Sequence, residues 1–70
     1  MNRQELEELL QREPFEPFRI RVSSGDAYDV RTPHAVALLK NRVFIALPDG
    51  ERWTFCPYLH IAAVESLPAA

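Results

Sequence analysis

Residues 43–56 read VFIALPDGERWTFC, and this stretch predicts a β-hairpin. Its first arm, residues 43–47, consists mainly of β-branched, aliphatic and aromatic residues, which favour strands. The second arm, residues 51–56, alternates aromatic and polar side chains, as a half-buried strand does. Between the arms, Pro48-Asp49-Gly50 supplies the residue types of a tight turn. The hairpin therefore predicts an antiparallel sheet.

Alternation along a strand decides which side chains of this hairpin share a face. We predict that Trp53 and Phe55 lie in the core with the aliphatic residues of the first arm, because a small domain needs such bulk. Phe44 points to the opposite face, where either a helix or a partner covers it. The alternative is an exposed platform of Trp53, Phe55 and Tyr58 that stacks a base or grips a peptide.

Residues 2–12 predict an α-helix ahead of the sheet. Asn2 is of the type that caps a helix start, and Glu5 follows three residues later, as in a capping box. Pro14 and Pro17 end the helix. Three leucines at helical spacing form one apolar stripe that we expect in the core: Leu6, Leu9 and Leu10.

Three further segments predict strands around the hairpin. Residues 18–22 alternate apolar side chains with arginines, and residues 28–30 continue the alternation after a turn at Ser24-Gly25-Asp26. Residues 61–65 predict a last strand that closes on an earlier one. Each of these strands is short, so the sheet needs several of them to bury one face.

Residues 32–41 leave two alternatives. Either Thr32 caps a short helix that ends at Asn41, or a turn at Pro33-His34 leads into a short strand over residues 36–39. We favour the turn and the strand.

The length of 70 residues predicts one domain, residues 1–70, with a thin core. The order of elements predicts an α+β fold. In this fold the N-terminal helix packs on a strongly curled antiparallel sheet, or on a small, partly open barrel, of five to six short strands.

Several stretches resemble a family of short bacterial proteins to which no activity is assigned. The resembling residues are PFEPFRI at 14–20, Ser24-Gly25, YDVR at 28–31, Pro33, LHI at 59–61 and Val64-Glu65. The order of a helix followed by curled strands is also similar to Sm-like small barrels. That resemblance implies ring formation and RNA binding, although the Arg-Gly dipeptide and the Asp and Asn loop residues of the Sm motifs are missing here.

The net charge of −2 disfavours a generic nucleic-acid-binding protein. Basic residues are nevertheless concentrated in the predicted sheet, and arginine suits bidentate contact with phosphate. The alternative, which we favour, is that these arginines form surface ion pairs with Asp26, Asp29 and Glu51. The arginines concerned are Arg19, Arg21, Arg31 and Arg42.

Cys56 with His34 or His60 has the residue types of a nucleophile and its base. A chain this short leaves little room for a water-excluding pocket, so we predict no enzyme and no cofactor. Cys56 and His60, four residues apart, offer one pair of metal ligands. His34 and Asp29 would have to supply the remaining ligands of such a site. Structural zinc sites ordinarily use two such pairs, and we predict no metal.

These patterns predict a non-catalytic small interaction module that binds a protein partner or a second copy of itself. The alternative is a nucleic-acid-binding, Sm-like barrel with an arginine-lined face. The acidic N-terminus and short apolar runs predict a cytoplasmic protein without a membrane partner. The candidate binding residues are Arg19, Arg21, Arg31, Arg42, Phe44 and Tyr58.

Overall fold

One helix and two three-stranded antiparallel sheets make up residues 1–68, the part of the chain that the computed structural model describes. The elements are α1 (Arg3–Leu10), β1 (Phe18–Val22), β2 (Ala27–Val30), β3 (Val36–Leu38), β4 (Arg42–Ala46), β5 (Trp53–Pro57) and β6 (Ile61–Ser66). Short 3₁₀ helices at Pro33–Ala35 and Tyr58–His60 connect the two sheets. The predicted α+β class is confirmed.

The strand order is β2-β1-β6 in one sheet and β3-β4-β5 in the other, so the prediction of a single curled sheet is replaced by two sheets. Among residues 1–68 the strands close no barrel. A proline stands at each crossing between the sheets, since Pro33 begins the first 3₁₀ helix and Pro57 is the last residue of β5.

The helix begins as its sequence predicts and ends two residues early, at Leu10. The backbone N–H of Glu5 donates to Asn2 Oδ1 at 2.9 Å, which satisfies one of the free donors of the first turn. Of the predicted apolar stripe, only Leu6 is fully buried, while Leu9 and Leu10 are half-buried against the core. α1 is eight residues long, and no helix within residues 1–68 is long and apolar enough to span a membrane.

β1 is the central strand of its sheet and carries much of the core. Phe18, Ile20 and Val22 are buried, whereas the alternating Arg19 and Arg21 point away from the core. β2 returns antiparallel to β1, and β6 pairs with its other side, so the predicted closure by the last strand is confirmed.

The segment around Pro33 forms the turn and short strand that we favoured. Thr32 Oγ1 accepts from the backbone N–H of His34 at 3.3 Å, and a single 3₁₀ turn comes next. β3 then pairs antiparallel with β4, opposing Val36 to Ile45.

The β4–β5 hairpin exists as predicted, but its register corrects our assignment of its faces. The closing pair is Leu47 and Arg52, whose N–H···O distance is 2.8 Å, so the loop holds four residues, 48–51. A three-residue turn would have placed Trp53 opposite Ile45. One additional loop residue moves every side chain of β5 to the other face. Phe44 therefore stands opposite Phe55, and both point away from the core.

Asp49 and Gly50 account for the longer loop. Asp49 Oδ1 accepts from the backbone N–H groups of Glu51 and Arg52, each at 3.0 Å. These bonds, with the Arg52 side chain, hold the pKa of Asp49 well below its usual range. Gly50 adopts φ +79°, a left-handed conformation that favours glycine.

Candidate interaction surface

Three aromatic side chains form a cluster on the outer face of β4 and β5. This aromatic cluster consists of Phe44, Trp53 and Phe55. Trp53 is 59% exposed and Phe55 42% exposed, whereas Phe44 is half-buried between them. Our prediction that Trp53 and Phe55 are core residues was wrong, because the core face of β5 is occupied by Cys56 and the half-buried Thr54.

Register explains the geometry of the aromatic cluster. Phe44 and Phe55 are direct cross-strand partners, and Trp53 is the next residue of β5 on the same face. Ring centroids are 5.8 Å apart for Phe44 and Trp53, 5.6 Å for Phe44 and Phe55, and 5.4 Å for Trp53 and Phe55. Such edge-on and offset pairs are favourable beyond their buried area. The rings therefore hold one another in place and still present apolar surface to water.

A cation borders the aromatic cluster. The Arg42 guanidinium lies 4.8 Å from the centroid of the Phe55 ring, within the range of a cation–π contact. Six of the eight basic residues form ion pairs with carboxylates; within residues 1–68 the two without one are Lys40 and Arg42. Arg42 is the first residue of β4 and Lys40 lies in the turn before it, so the unpaired positive charge of the sheet is at the start of β4, where Arg42 contacts Phe55.

The arginines of the other sheet are neutralised by neighbouring strands. Arg19 Nε donates to Asp29 Oδ1 at 2.7 Å, and Arg31 lies 3.7 Å from the same carboxylate. Arg21 pairs with Glu65 on β6, a partner that lies outside the carboxylates we predicted. The hydrogen bond from Arg19 lowers the pKa of Asp29. Asp29 is thus confirmed as an ion-pair partner, and this face carries little free positive charge.

Tyr58 lies in the core and is not part of the exposed aromatic cluster. Its ring is buried, and its hydroxyl donates to the Leu39 backbone carbonyl at 2.6 Å. Burial raises the pKa of this hydroxyl. Tyr58 therefore ties the connection between β5 and β6 to the turn after β3.

A cavity of about 320 Å³ lies between β5 and the β1–β2 turn, with Cys56 and His60 in its lining. Burial raises the pKa of the Cys56 thiol, and its nearest acceptor is the Pro57 carbonyl at 3.6 Å. His60 Nδ1 lies 3.4 Å from Ser23 Oγ instead, and within residues 1–68 no hydrogen bond joins Cys56 to a histidine. Burial therefore disfavours the thiolate, and no hydrogen bond within residues 1–68 supplies the adjacent base that activates a nucleophile.

The described residues contain no group of three or more His, Cys, Asp or Glu side chains placed to hold a metal ion. No protein-family model, curated protein or solved structure matches the chain. The chemistry of the surface itself is therefore the guide to its use. That chemistry is apolar and aromatic in the middle, with positive charge at one end.

Proposed function

We propose that this chain is a non-catalytic interaction module that binds protein through the aromatic cluster. The observation that carries the proposal is the exposure of Trp53, the only tryptophan of the chain, beside the exposed Phe55 on the outer face of β5. Exposed aromatic surface is costly in water, and a contiguous patch of it marks an interaction site.

The residue types of the patch favour a protein partner. Tryptophan, phenylalanine and arginine are enriched in protein interfaces, and tryptophan and arginine are enriched among the residues that carry most of the binding energy. The rings are already ordered by their contacts with one another, so binding costs little side-chain entropy. The buried free thiol of Cys56 is compatible with the reducing cytoplasm, where we place the protein.

A second candidate function is binding of single-stranded nucleic acid. It is favoured by Lys40 and Arg42, the two basic residues without an ion pair within residues 1–68, because Arg42 lies beside Phe55, a ring on which a base could stack. In this candidate the two sheets are the halves of a partly open, Sm-like barrel. The net charge of −2 and the ion pairs of Arg19 and Arg21 favour the protein partner over this alternative.

Selection of peptides from a random displayed library tests the proposed function. We expect the wild-type chain to select peptides that a Trp53→Ser/Phe55→Ser variant binds at least about ten-fold more weakly, because these rings are the main contact. Leu59→Ser serves as the matched control, since Leu59 is 95% exposed and lies outside the aromatic cluster. Selected peptides that bind the double variant as tightly as the wild type would place the contact elsewhere.

Titration with single-stranded RNA and DNA separates the two candidates. We expect no binding by the wild type even at low salt. We also expect an Arg19→Ala/Arg21→Ala variant to stay folded with a small loss of stability, because both arginines are surface ion-pair partners. Micromolar binding at physiological salt, with a steep salt dependence that a Lys40→Ala/Arg42→Ala variant flattens, would instead support the nucleic-acid candidate.

A further inference from the structure

We propose that the partner at the aromatic cluster is an acidic peptide segment, whose carboxylates lie against Lys40 and Arg42 while its apolar side chains pack on the rings. This inference rests on the proposed function and names the chemistry of its partner. Lys40 and Arg42 are the two basic residues without a carboxylate partner within residues 1–68, so their charge is available to a ligand.

Strand register places Arg42 on the same face as the aromatic cluster. Three cross-strand pairs follow one another along the outer face of β4 and β5: Arg42 with Pro57, Phe44 with Phe55, and Ala46 with Trp53. Because alternate residues of a strand share a face, each pair is about 7 Å from the next along the strands. Arg42 is therefore one step from Phe55, whose ring it contacts, and two steps, about 13 Å, from Trp53.

A cavity of about 570 Å³ brings the two cations together beside this face. Its lining residues are Leu39, Lys40, Asn41, Arg42 and Pro57. Lysine, arginine and asparagine side chains all donate hydrogen bonds, and none of the five residues carries negative charge. Hydrogen bonds from cations to a carboxylate are among the strong ones. The cavity therefore suits an acidic side chain, with apolar residues at its border.

Hydrogen bonds fix the turn that carries Lys40. The Leu39 N–H donates to the Arg42 carbonyl at 2.9 Å, and the Asn41 carbonyl accepts from the Tyr58 N–H at 3.3 Å. The Tyr58 hydroxyl also donates to the Leu39 carbonyl at 2.6 Å. The backbone on both sides of Lys40 is thus held in place, so binding an acidic side chain orders little beyond the two cationic side chains.

The number of free cations favours a peptide over a nucleic-acid strand. Proteins that bind single strands follow the phosphate backbone with a positively charged groove, since each nucleotide adds a phosphate. Here two free cations line one cavity, and Arg19 and Arg21 of the other sheet are already paired with carboxylates. Such a site matches one or two carboxylates beside an apolar anchor.

The opposite end of the hairpin carries an unpaired negative charge. Glu51 is exposed in the loop of residues 48–51 and forms no ion pair within residues 1–68. A carboxylate of the peptide is therefore attracted to the start of β4 and repelled at the loop. An extended peptide should carry its acidic residues on one side of its apolar anchor, about two to four residues away, which spans about 7–13 Å.

Selection from a random displayed peptide library, followed by a charge exchange, tests the acidic partner. We expect the wild type to select peptides with Asp or Glu at this spacing from an aromatic or aliphatic residue. Arg42→Glu should weaken these peptides by about ten-fold or more, because it opposes like charges. The same peptides with lysine in place of Asp and Glu should bind Arg42→Glu more tightly than they bind the wild type. Damage to the aromatic cluster alone would not produce that gain.

Arg12→Glu is the matched control for the charge exchange. It makes the same change of net charge at an exposed residue that lies beside β1 and β6, in the other sheet. At physiological salt, distant surface charges are screened, so we expect peptide affinity to stay within about two-fold of the wild type.

Selected peptides that lack an enrichment of Asp and Glu, or that bind Arg42→Glu as tightly as the wild type, would overturn the acidic partner. If such peptides still depend on Trp53 and Phe55, the proposed function stands and only this inference fails. Peptides indifferent to Trp53→Ser/Phe55→Ser reject the proposed function as well. Binding of single-stranded RNA that Lys40→Ala/Arg42→Ala abolishes, with no acidic peptide selected, would assign the two cations to phosphate and reject the inference.

Discussion

Replacing Leu6 by alanine should lower the free energy of unfolding by about 2–5 kcal/mol, the usual cost of removing a fully buried leucine side chain. Leu6 has no exposed surface and is the one fully buried residue of α1. A domain of this size has roughly 4–10 kcal/mol of stability in total. The Leu6→Ala protein should therefore unfold at much lower urea concentration than the wild type, as circular dichroism and Trp53 fluorescence will show.

Leu59→Ala is the matched control for this substitution. The same atoms are removed, but from a side chain that is 95% exposed, so we expect a change within about 0.5 kcal/mol. Leu9→Ala and Leu10→Ala should give intermediate losses, because both side chains are half-buried. If Leu6→Ala unfolded at the same urea concentration as Leu59→Ala, the helix would not be part of the core.

The second large effect is expected at Gly50, where valine should cost about 1–2 kcal/mol or more through backbone strain alone. A Cβ atom built at Gly50 meets nothing within 4 Å, so no clash contributes. The cost arises because β-branched residues disfavour the left-handed conformation that Gly50 adopts at φ +79°. Thermal or urea denaturation of Gly50→Val measures it.

A graded series at Gly50 distinguishes strain from other causes. Asparagine tolerates the left-handed region, so Gly50→Asn should lose less than Gly50→Val. Pro48→Ala changes the same loop without requiring positive φ and should have little effect. Equal losses for asparagine and valine would indicate that side-chain contacts, and not backbone conformation, determine the loop.

Local signals in the sequence predicted most of the fold. The two-residue period of β1, the capping geometry of Asn2 and the turn at Pro33 all depend on neighbours within a few residues, and the structure reproduces each of them. The division into two sheets was harder to predict. It depends on which strands pair across long stretches of sequence, which neighbouring residues do not specify.

The faces of the candidate surface were mispredicted because a single residue, Glu51, was assigned to a strand. Treating Glu51 as the first residue of a strand assigned Trp53 and Phe55 to the core. The structure places Glu51 in the loop, because Asp49 accepts hydrogen bonds from both Glu51 and Arg52. An aspartate in the loop was a visible signal for this arrangement, since its side chain commonly binds backbone N–H groups further along the chain.

The arginines of β1 show a second limit of prediction from local sequence patterns. Alternation correctly placed Arg19 and Arg21 on the outer face of β1. Their partners depended on which strands flank β1, and Glu65 became a neighbour only through the pairing with β6. Contacts between segments 44 residues apart are beyond what local patterns predict.

The pairing of β1 with β6 has a consequence for the order in which the sheets fold. β3, β4 and β5 follow one another along the chain, so their sheet forms by closing short loops. The pairing of β1 with β6 joins segments about 40 residues apart and has to close a much longer loop. We therefore expect the β3–β4–β5 sheet to form first, and until β6 pairs with β1 one hydrogen-bonding edge of β1 stays open to another chain.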